Sequence, residues 1–268
     1  MNEQILDLGG QRFGLLHLPQ DRRSDTALVL LNAGMIHRTG PFRLYVELAR
    51  RLTAAGYVAL RWDAPGIGDA LAAADRTRHE IHTDVLDRVQ AATGCTRFVL
   101  GGICSAADHA WQIAGTDARV QGLLLLDGLA RPGFWYRVGQ LRLAALRPPS
   151  RWWAMFRQQL SPPAAAAPRP TVNDYRDWPA IGTEREQLAQ LLQRDVRLFA
   201  LYTGGAANYM LHRRQFHTTF GPQSGDERIT LQHWPECDHL FFDPDDRDRL
   251  IESVLAWVQA AFPRPTHG

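Results

Sequence analysis

Short apolar segments alternate along the chain with stretches of helical periodicity. The apolar segments cover residues 27–31, 57–63, 98–100, 122–126, 196–202 and 229–234. The helical stretches include residues 42–55 and 184–193 and a C-terminal apolar stripe made of Leu250, Ile251, Val254, Leu255 and Val258. The short segments are apolar throughout rather than at every second position, which indicates strands buried on both faces. The pattern therefore predicts an α/β fold with a mostly parallel sheet between two layers of helices.

A cysteine stands where the third apolar segment is expected to turn into a helix. Cys104 is the central residue of Gly102-Ile103-Cys104-Ser105-Ala106. A sharp turn from a strand into a helix exposes the side chain at its centre. Backbone amides and the N-terminus of the helix then point towards the substrate group that this side chain would attack. The close approach of strand and helix requires small residues, and Gly102 and Ala106 satisfy this requirement. The pentapeptide taken alone is equally compatible with a buried structural thiol.

The motifs around the pentapeptide extend the pattern. An Asn-Ala-Gly turn at 32–34 follows the first apolar segment, an Asp-x-x-Gly-x-Gly turn begins at Asp63, and Asp238-His239 follows the last segment. Over nearly the whole chain this order resembles the α/β-hydrolase superfamily, in particular its cap-containing peptidase, lipase and thioesterase-like members. The dienelactone hydrolases of that superfamily also use a cysteine nucleophile. The resemblance implies a hydrolase core at 1–130 and 196–268.

The same resemblance implies a helical cap, or lid, inserted between the sixth and seventh strands of the fold. These strands correspond to residues 122–126 and 196–202, and the cap to residues 131–195. A proline and alanine tract at 161–170 is typical of a surface loop or a hinge within such a cap.

The resemblance also implies the roles of the catalytic side chains. His239 follows the last strand and is the expected base, which takes the thiol proton and later passes it to the leaving group. Most members place an acid after the seventh strand, but residues 202–209 contain no carboxylate. Asp127, at the end of the sixth strand, is the preferred replacement, followed by Asn208 and then Asp238. A turn-capping role for Asp127 remains an alternative.

The resemblance places the oxyanion hole at the backbone amides of Met35 and Ser105, where side-chain identity need not matter. His37 and Arg38 follow Met35 closely and are candidate substrate contacts, although helix capping or a surface role explains them as well. Asp63 and Asp69 are interpreted as residues that stabilise their turn.

The beginning of the predicted cap is basic and aromatic and contains no acidic residue. Its arginines are Arg131, Arg137, Arg142, Arg147, Arg151 and Arg157, and its aromatic residues are Phe134, Trp135, Tyr136, Trp152, Trp153 and Phe156. This composition favours an acyl group delivered on an anionic carrier, such as coenzyme A or an acidic acyl carrier protein. Trp135 and Tyr136 are the candidate substrate contacts. An amphipathic helix pair with solvated arginines is the alternative.

Composition limits the remaining possibilities. A chain of 268 residues suits one α/β domain with an insertion, and a net charge of +2 argues against nucleic-acid binding. All basic residues are arginine, which excludes a Schiff-base or phosphate-binding lysine.

The cysteines show no paired spacing, as expected in a reducing cytoplasm; they are Cys95, Cys104 and Cys237. From its apolar pattern and first residues we expect neither export nor a membrane span. His233 and Cys237 lie near His239, but strand and turn geometry would direct the three apart, so we expect no metal.

The sequence thus predicts a cofactor-free acyl hydrolase or acyltransferase that acts on a carrier-bound or coenzyme A thioester through an acyl-Cys104 intermediate. Two alternatives remain. One is an ester or lactone hydrolase of the dienelactone hydrolase type, and the other is a non-catalytic binding protein in which Cys104 is inert.

Overall fold

The structure is a computed structural model that describes residues 2–22, 24–72, 76–145 and 176–263. Its strands are β1 (Asn2–Gly9), β2 (Arg12–Leu18), β3 (Thr26–Leu30), β4 (Val58–Trp62), β5 (Arg97–Ile103), β6 (Val120–Leu126), β7 (Arg197–Thr203) and β8 (Ile229–Trp234). The helices within the described residues are α1 (Leu44–Ala54), α2 (Arg78–Thr93), α3 (Ser105–Thr116), α4 (Phe134–Ala145), α5 (Glu184–Gln193), α6 (Arg214–Phe220) and α7 (Pro244–Ala261).

The strands form one sheet in the order β1-β2-β4-β3-β5-β6-β7-β8. The strands β3 to β8 run parallel to one another, whereas β2 pairs antiparallel with β4 and β1 antiparallel with β2. The predicted α/β fold with a mostly parallel sheet is confirmed. The N-terminal hairpin β1–β2 extends the sheet beyond the strands that the apolar pattern predicts.

Helices cover both faces of the sheet, which explains why the central strands are apolar at every position. Successive side chains of a strand point to opposite faces. In β3, Ala27 and Val29 pack in the layer that contains α2, α3 and α5, while Leu28 and Leu30 pack in the layer that contains α1 and α7. Each strand side chain is therefore buried whichever way it points.

The carboxyl ends of the parallel strands bring distant parts of the chain together. Cys104 follows β5, Asp127 follows β6, Thr203 ends β7, and His239 lies in the loop after β8. Since β5, β6, β7 and β8 are consecutive neighbours and run in the same direction, these residues meet at one edge of the sheet.

The chain between β6 and β7 carries α4 and α5, the latter over the stretch for which the sequence predicts a helix. Residues 146–175, with the 161–170 tract and several of the basic and aromatic residues of the predicted cap, lie outside the described residues. The cap and its boundaries at 131 and 195 stay predictions.

Among the helices in the described part of the chain, none combines the length and the apolar character that crossing a bilayer requires.

Candidate active site

Cys104 occupies a strained turn between β5 and α3. Its backbone has φ 61° and ψ −119°, a conformation that costs a residue with a side chain on the order of 1–3 kcal/mol. A Cβ added to Gly102 would lie 2.3 Å from the Tyr45 hydroxyl and 2.9 Å from the Ala106 Cβ. The small residues around the cysteine are thus required by the contacts of strand, helix and Tyr45. The structure places Cys104 at the tip of the predicted strand-to-helix turn.

His239 and Asp127 lie beside this turn. The His239 Nδ1 is 2.7 Å from the Asp127 Oδ2, and the same imidazole lies beside the Cys104 thiol and lowers its pKa. Asp127 is fully buried and also has a positive φ, of 50°. Its carboxylate accepts hydrogen bonds of 2.6 Å from both the backbone amide and the hydroxyl of Thr203. The structure therefore brings a thiol, an imidazole and a buried carboxylate together, with the carboxylate bonded to the imidazole.

The second and third choices for the acid, Asn208 and Asp238, do not lie against the His239 imidazole in the described structure. Asn208 is exposed, and its backbone carbonyl accepts a hydrogen bond of 2.8 Å from the Tyr136 hydroxyl. Asp238 is exposed and accepts hydrogen bonds from the amides of Leu240 and Phe242, which stabilise its own turn. Neither side chain hydrogen-bonds the imidazole of His239 among the described contacts.

The chain after β7 closely approaches the loop that carries His239, and this gives a physical reason why no acidic residue directly follows β7. A Cβ added to Gly205 would lie 2.2 Å from the Cβ of His239. The chain after β7 therefore passes His239 too closely to carry a side chain at position 205. The carboxylate that reaches the imidazole is that of Asp127, which follows β6.

The surroundings of Cys104 and His239 favour an ion pair between them. Burial raises the pKa of the Cys104 thiol, but the His239 hydrogen bond and the positive charge of Arg176 outweigh burial, so the pKa is lowered. Burial lowers the pKa of His239, but hydrogen bonds to Asp127 and Cys104 raise it to about 9. A lowered thiol pKa and a raised imidazole pKa both shift the pair towards thiolate and imidazolium.

A buried ion pair that the sequence analysis missed contacts the Cys104 thiol. Arg176 and Asp108 each have a side chain that is 1% exposed, and the guanidinium binds both carboxylate oxygens through Nε and Nη2. The Arg176 Nη1 lies 3.4 Å from the Cys104 Sγ and 3.2 Å from the Tyr209 hydroxyl, and Nη2 donates to the carbonyl of Asp127 at 3.0 Å. Arg176 thus touches the sulfur and the backbone of the acid.

No protein-family model and no curated protein matches the chain. Solved structures do match it over nearly its full length. The chain is similar to a putative α/β hydrolase of unknown function from Agrobacterium tumefaciens (12% identity, TM-score 0.60, 98% of this chain and 100% of that chain). It is also similar to a proline iminopeptidase from Mycobacterium smegmatis (13% identity, TM-score 0.59, 97% of this chain and 98% of that chain). A third similar structure is a dienelactone hydrolase from Anabaena variabilis (14% identity, TM-score 0.54, 98% of this chain and 99% of that chain). The chain has the α/β-hydrolase fold.

In this α/β-hydrolase fold, the loop after β3 is held against the turn that carries Cys104. The Gly34 amide donates a hydrogen bond of 2.8 Å to the Ser105 hydroxyl. The Ser105 amide lies next to the Cys104 sulfur and helps to lower the pKa of the thiol, and the Met35 amide donates to no acceptor within the described residues. The Ser105 hydroxyl therefore fixes the loop beside the nucleophile. The assignment of the Met35 and Ser105 amides as the oxyanion hole of the fold stays a prediction.

Arg38 pairs with the aspartates of the turn that begins at Asp63, and its predicted contact with substrate stays a prediction. Its guanidinium pairs with Asp63 and with Asp69, the latter at 2.8 Å, and its backbone amide donates to Asp63 at 2.6 Å. The His37 Nε2 lies 3.4 Å from a carboxylate oxygen of each aspartate. His37, Asp63 and Asp69 offer ligand-type atoms within 4.8 Å of one another, but the Arg38 guanidinium already pairs with both carboxylates. Both aspartates stabilise the turn, as the sequence analysis expects.

The two predicted aromatic contacts fasten α4 to the loop after β7. Trp135 stacks on the His212 ring at a centroid distance of 4.8 Å and lies 4.6 Å from the guanidinium of Arg214. The Tyr136 hydroxyl reaches the carbonyl of Asn208, one residue before the tyrosine that contacts Arg176. A role of Trp135 and Tyr136, or of His37, in substrate binding stays a prediction.

Proposed function

We propose that this protein is an acyl hydrolase or acyltransferase that takes an acyl group from a thioester onto Cys104. One observation carries the proposal. The Cys104 thiol, at the tip of a strained strand-to-helix turn, lies beside the imidazole of His239, which lowers its pKa and whose Nδ1 lies 2.7 Å from the buried Asp127 carboxylate. A nucleophile, a base and a group that orients the base in this geometry are the requirements for covalent acyl transfer.

In the first step, the Cys104 thiolate attacks the carbonyl carbon of the donor. The new carbon–sulfur bond pushes the carbonyl electrons onto oxygen, where the Met35 and Ser105 amides are proposed to bind the negative charge. The intermediate then expels the donor thiolate, which takes the proton of the His239 imidazolium. In the second step, His239 accepts a proton from water or another acceptor. The acceptor bonds to the acyl carbon, and the Cys104 thiolate leaves.

The electrostatics around the sulfur favour a thioester over an ester as the donor. A tetrahedral intermediate expels its less basic group faster, and the pKa of Cys104 is lowered. With an ester donor, the Cys104 thiolate therefore leaves again before the far more basic alkoxide does. With a thioester donor the two leaving groups are comparable and the exchange is nearly isoenergetic.

Apolar side chains on two loops next to the site support an apolar acyl group. Met35, in the loop of the proposed oxyanion hole, is 78% exposed, and Phe242, three residues after His239, is 68% exposed. Phe242 packs edge-on against Phe42 with the ring centroids 5.2 Å apart. Exposed apolar residues that converge on a site are typical of a binding surface for an apolar ligand.

The anionic carrier of the acyl group is part of the proposal. Arg137 and Arg142 are exposed on α4, and neither pairs with a carboxylate of the described residues. Unpaired arginines are suited to bind phosphate groups, as in coenzyme A or in the phosphopantetheine arm of an acyl carrier protein.

The test is acylation of the protein by thioesters of different chain length, followed by intact mass measurement. We expect wild type and Cys95→Ala to gain one acyl group and Cys104→Ala to gain none. Turnover of esters or lactones without any thioester adduct would favour the ester or lactone hydrolase that the likeness to a dienelactone hydrolase raises. If Cys104 is neither acylated nor alkylated by iodoacetamide at neutral pH, the proposal is wrong and a binding role is favoured.

A further inference from the structure

Arg176 is placed to act on the nucleophile permanently, whereas His239 acts on it only while protonated. We propose that Arg176, oriented by Asp108, is a second cation for the Cys104 sulfur. It keeps the thiolate ionised when His239 is neutral and stabilises the sulfur as it leaves the acyl group. The role in turnover rests on the proposed function, but the effect on the thiol can be measured without any acyl donor.

The guanidinium has no free donor with which to bind a substrate anion. An arginine side chain carries five N–H groups. In Arg176, Nε and one N–H of Nη2 bind Asp108, the second N–H of Nη2 binds the Asp127 carbonyl, and the two N–H groups of Nη1 face Cys104 and Tyr209. The structure therefore assigns Arg176 to the sulfur and to the surrounding framework rather than to a carboxylate or phosphate of the substrate.

Burial and packing hold this cation in place. The guanidinium carbon lies 5.2 Å from the centroid of the Trp178 ring and 5.4 Å from that of Tyr209. Both oxygens of Asp108 are turned to Nε and Nη2, so Nη1 is the part of the guanidinium that faces the sulfur. Because water is excluded from the pair, the interaction of Nη1 with a thiolate is screened less than it would be at the surface.

The other titratable groups around the sulfur do not replace this cation. Burial raises the pKa of Tyr45 and of Tyr209, so both phenols stay neutral at physiological pH. Asp127 faces His239 rather than the thiol. His239 is the other cation, and its pKa of about 9 means that it loses its charge in mild alkali. An arginine keeps its charge at every pH at which the protein is folded.

The leaving step shows where Arg176 contributes to turnover. When the acceptor attacks the acyl-Cys104 thioester, its proton moves to His239 and the carbon–sulfur bond breaks. The electron pair of that bond stays on the sulfur, which Nη1 of Arg176 faces. A cation at the position where charge develops stabilises the transition state of this step.

The test is the pH dependence of Cys104 alkylation by iodoacetamide, with a Cys104→Ser variant as the blank and intact mass to count labels. We expect Arg176→Gln to move the midpoint of the profile upward by about one unit, which makes alkylation about tenfold slower at pH 6.5. Arg176→Lys should restore part of the rate, because a lysine supplies the charge without the same geometry.

A matched control is available in the same region. Arg131 also packs on Trp178, at 5.2 Å, and pairs with the buried Glu184, but it has no recorded contact with Cys104. Arg131→Gln should leave the alkylation profile unchanged. A folded Arg176→Gln variant with the wild-type profile, or an equal shift in Arg131→Gln, would overturn the proposal.

A second variant keeps the proposal testable if Arg176→Gln does not fold. The His239 side chain is 30% exposed, so His239→Gln is expected to fold. With Arg176 still present, the alkylation midpoint of this variant should stay at or below about 8.5, the ordinary value for cysteine. A midpoint a full unit higher, as burial without a cation would produce, contradicts the proposal. Since no acyl donor is used, this failure is distinct from a failure of the thioester test.

Discussion

At Cys104, the proposed nucleophile, sulfur changes what the neighbouring side chains have to do. The pKa values of an ordinary cysteine and an ordinary histidine differ by only about two units. A few nearby charges and hydrogen bonds therefore suffice to move the proton from the thiol to the imidazole. In this protein His239, Asp127 and Arg176 supply these charges and hydrogen bonds, and the thiol pKa is lowered in spite of burial. Asp127 directly follows β6, and from there its carboxylate still reaches the imidazole at 2.7 Å.

The pKa shifts predict a bell-shaped pH profile for acylation of Cys104. The reaction requires a thiolate to attack and an imidazolium to protonate the leaving group. The rate should rise as pH passes the lowered pKa of Cys104 and fall as pH passes about 9, where His239 loses its proton. The check is single-turnover acylation measured between pH 5 and pH 10. A rate that keeps rising above the pKa of His239 would contradict the assigned roles.

The acid is tested by comparing Asp127→Asn with Asn208→Ala. Without the carboxylate the pKa of His239 falls, because one of the hydrogen bonds that raise it is weakened. We expect Asp127→Asn to slow acylation by about 10- to 100-fold, less than the roughly 10⁴-fold loss known for a serine triad. Asn208→Ala should acylate at the wild-type rate. If instead only Asn208→Ala slows acylation, the triad is assigned wrongly.

The sequence predicts the side chains whose positions follow from strand order, and it misses those that depend on packing. Cys104, Asp127 and His239 each follow a recognisable strand, so the fold brings them together. Arg176 lies 72 positions after Cys104 and follows no such strand. The available signal was Asp108, four residues after the cysteine on the predicted helix, because an acid there requires a partner once that helix is buried.

Glycines at the ends of the strands decide how closely the loops approach each other. Gly102 lies against Tyr45 and Ala106, and Gly205 lies against His239. These contacts join separate parts of the chain and cannot be derived from local periodicity. The parallel strands, in contrast, are visible in the sequence as continuous apolar runs. The β1–β2 hairpin is harder to recognise, since β1 is mostly exposed and gives no such run.

Gly102→Ala is predicted to disrupt the turn that carries Cys104. The added methyl group would lie 2.3 Å from the Tyr45 hydroxyl, which accepts a hydrogen bond from the Ile103 amide. We expect a loss of about 1–3 kcal/mol in the free energy of unfolding and slower acylation. Gly115→Ala is the control, because a Cβ on this α3 residue meets nothing within 4 Å. Urea unfolding of both variants gives the comparison, and equal stabilities would refute the packing argument.

Buried and exposed ion pairs are expected to contribute differently to the stability of the folded chain. Arg176 and Asp108 are both buried, and their bond joins α3 to the chain beyond α4. The Asp25–Arg97 pair is partly exposed. Removing one partner of a buried pair leaves an uncompensated charge, while a surface pair contributes little.

Asp108→Ala should therefore lower the free energy of unfolding by about 3–5 kcal/mol. Asp25→Ala should lower it by no more than about 1 kcal/mol. Urea unfolding at pH 7 measures both values. If the two variants lose similar amounts of unfolding free energy, the buried Arg176–Asp108 pair does not stabilise the fold more than the partly exposed Asp25–Arg97 pair does.

The covalent step at Cys104 is tested most directly by a single-turnover experiment with one acyl thioester. The protein is mixed with the donor, quenched with acid after short times and digested, and the released donor thiol is quantified in the same samples. We predict that one equivalent of thiol is released as the acyl group appears on the peptide that contains Cys104, with neither event in Cys104→Ala. Thiol release without an acylated Cys104 peptide, or equal release by Cys104→Ala, would contradict the account.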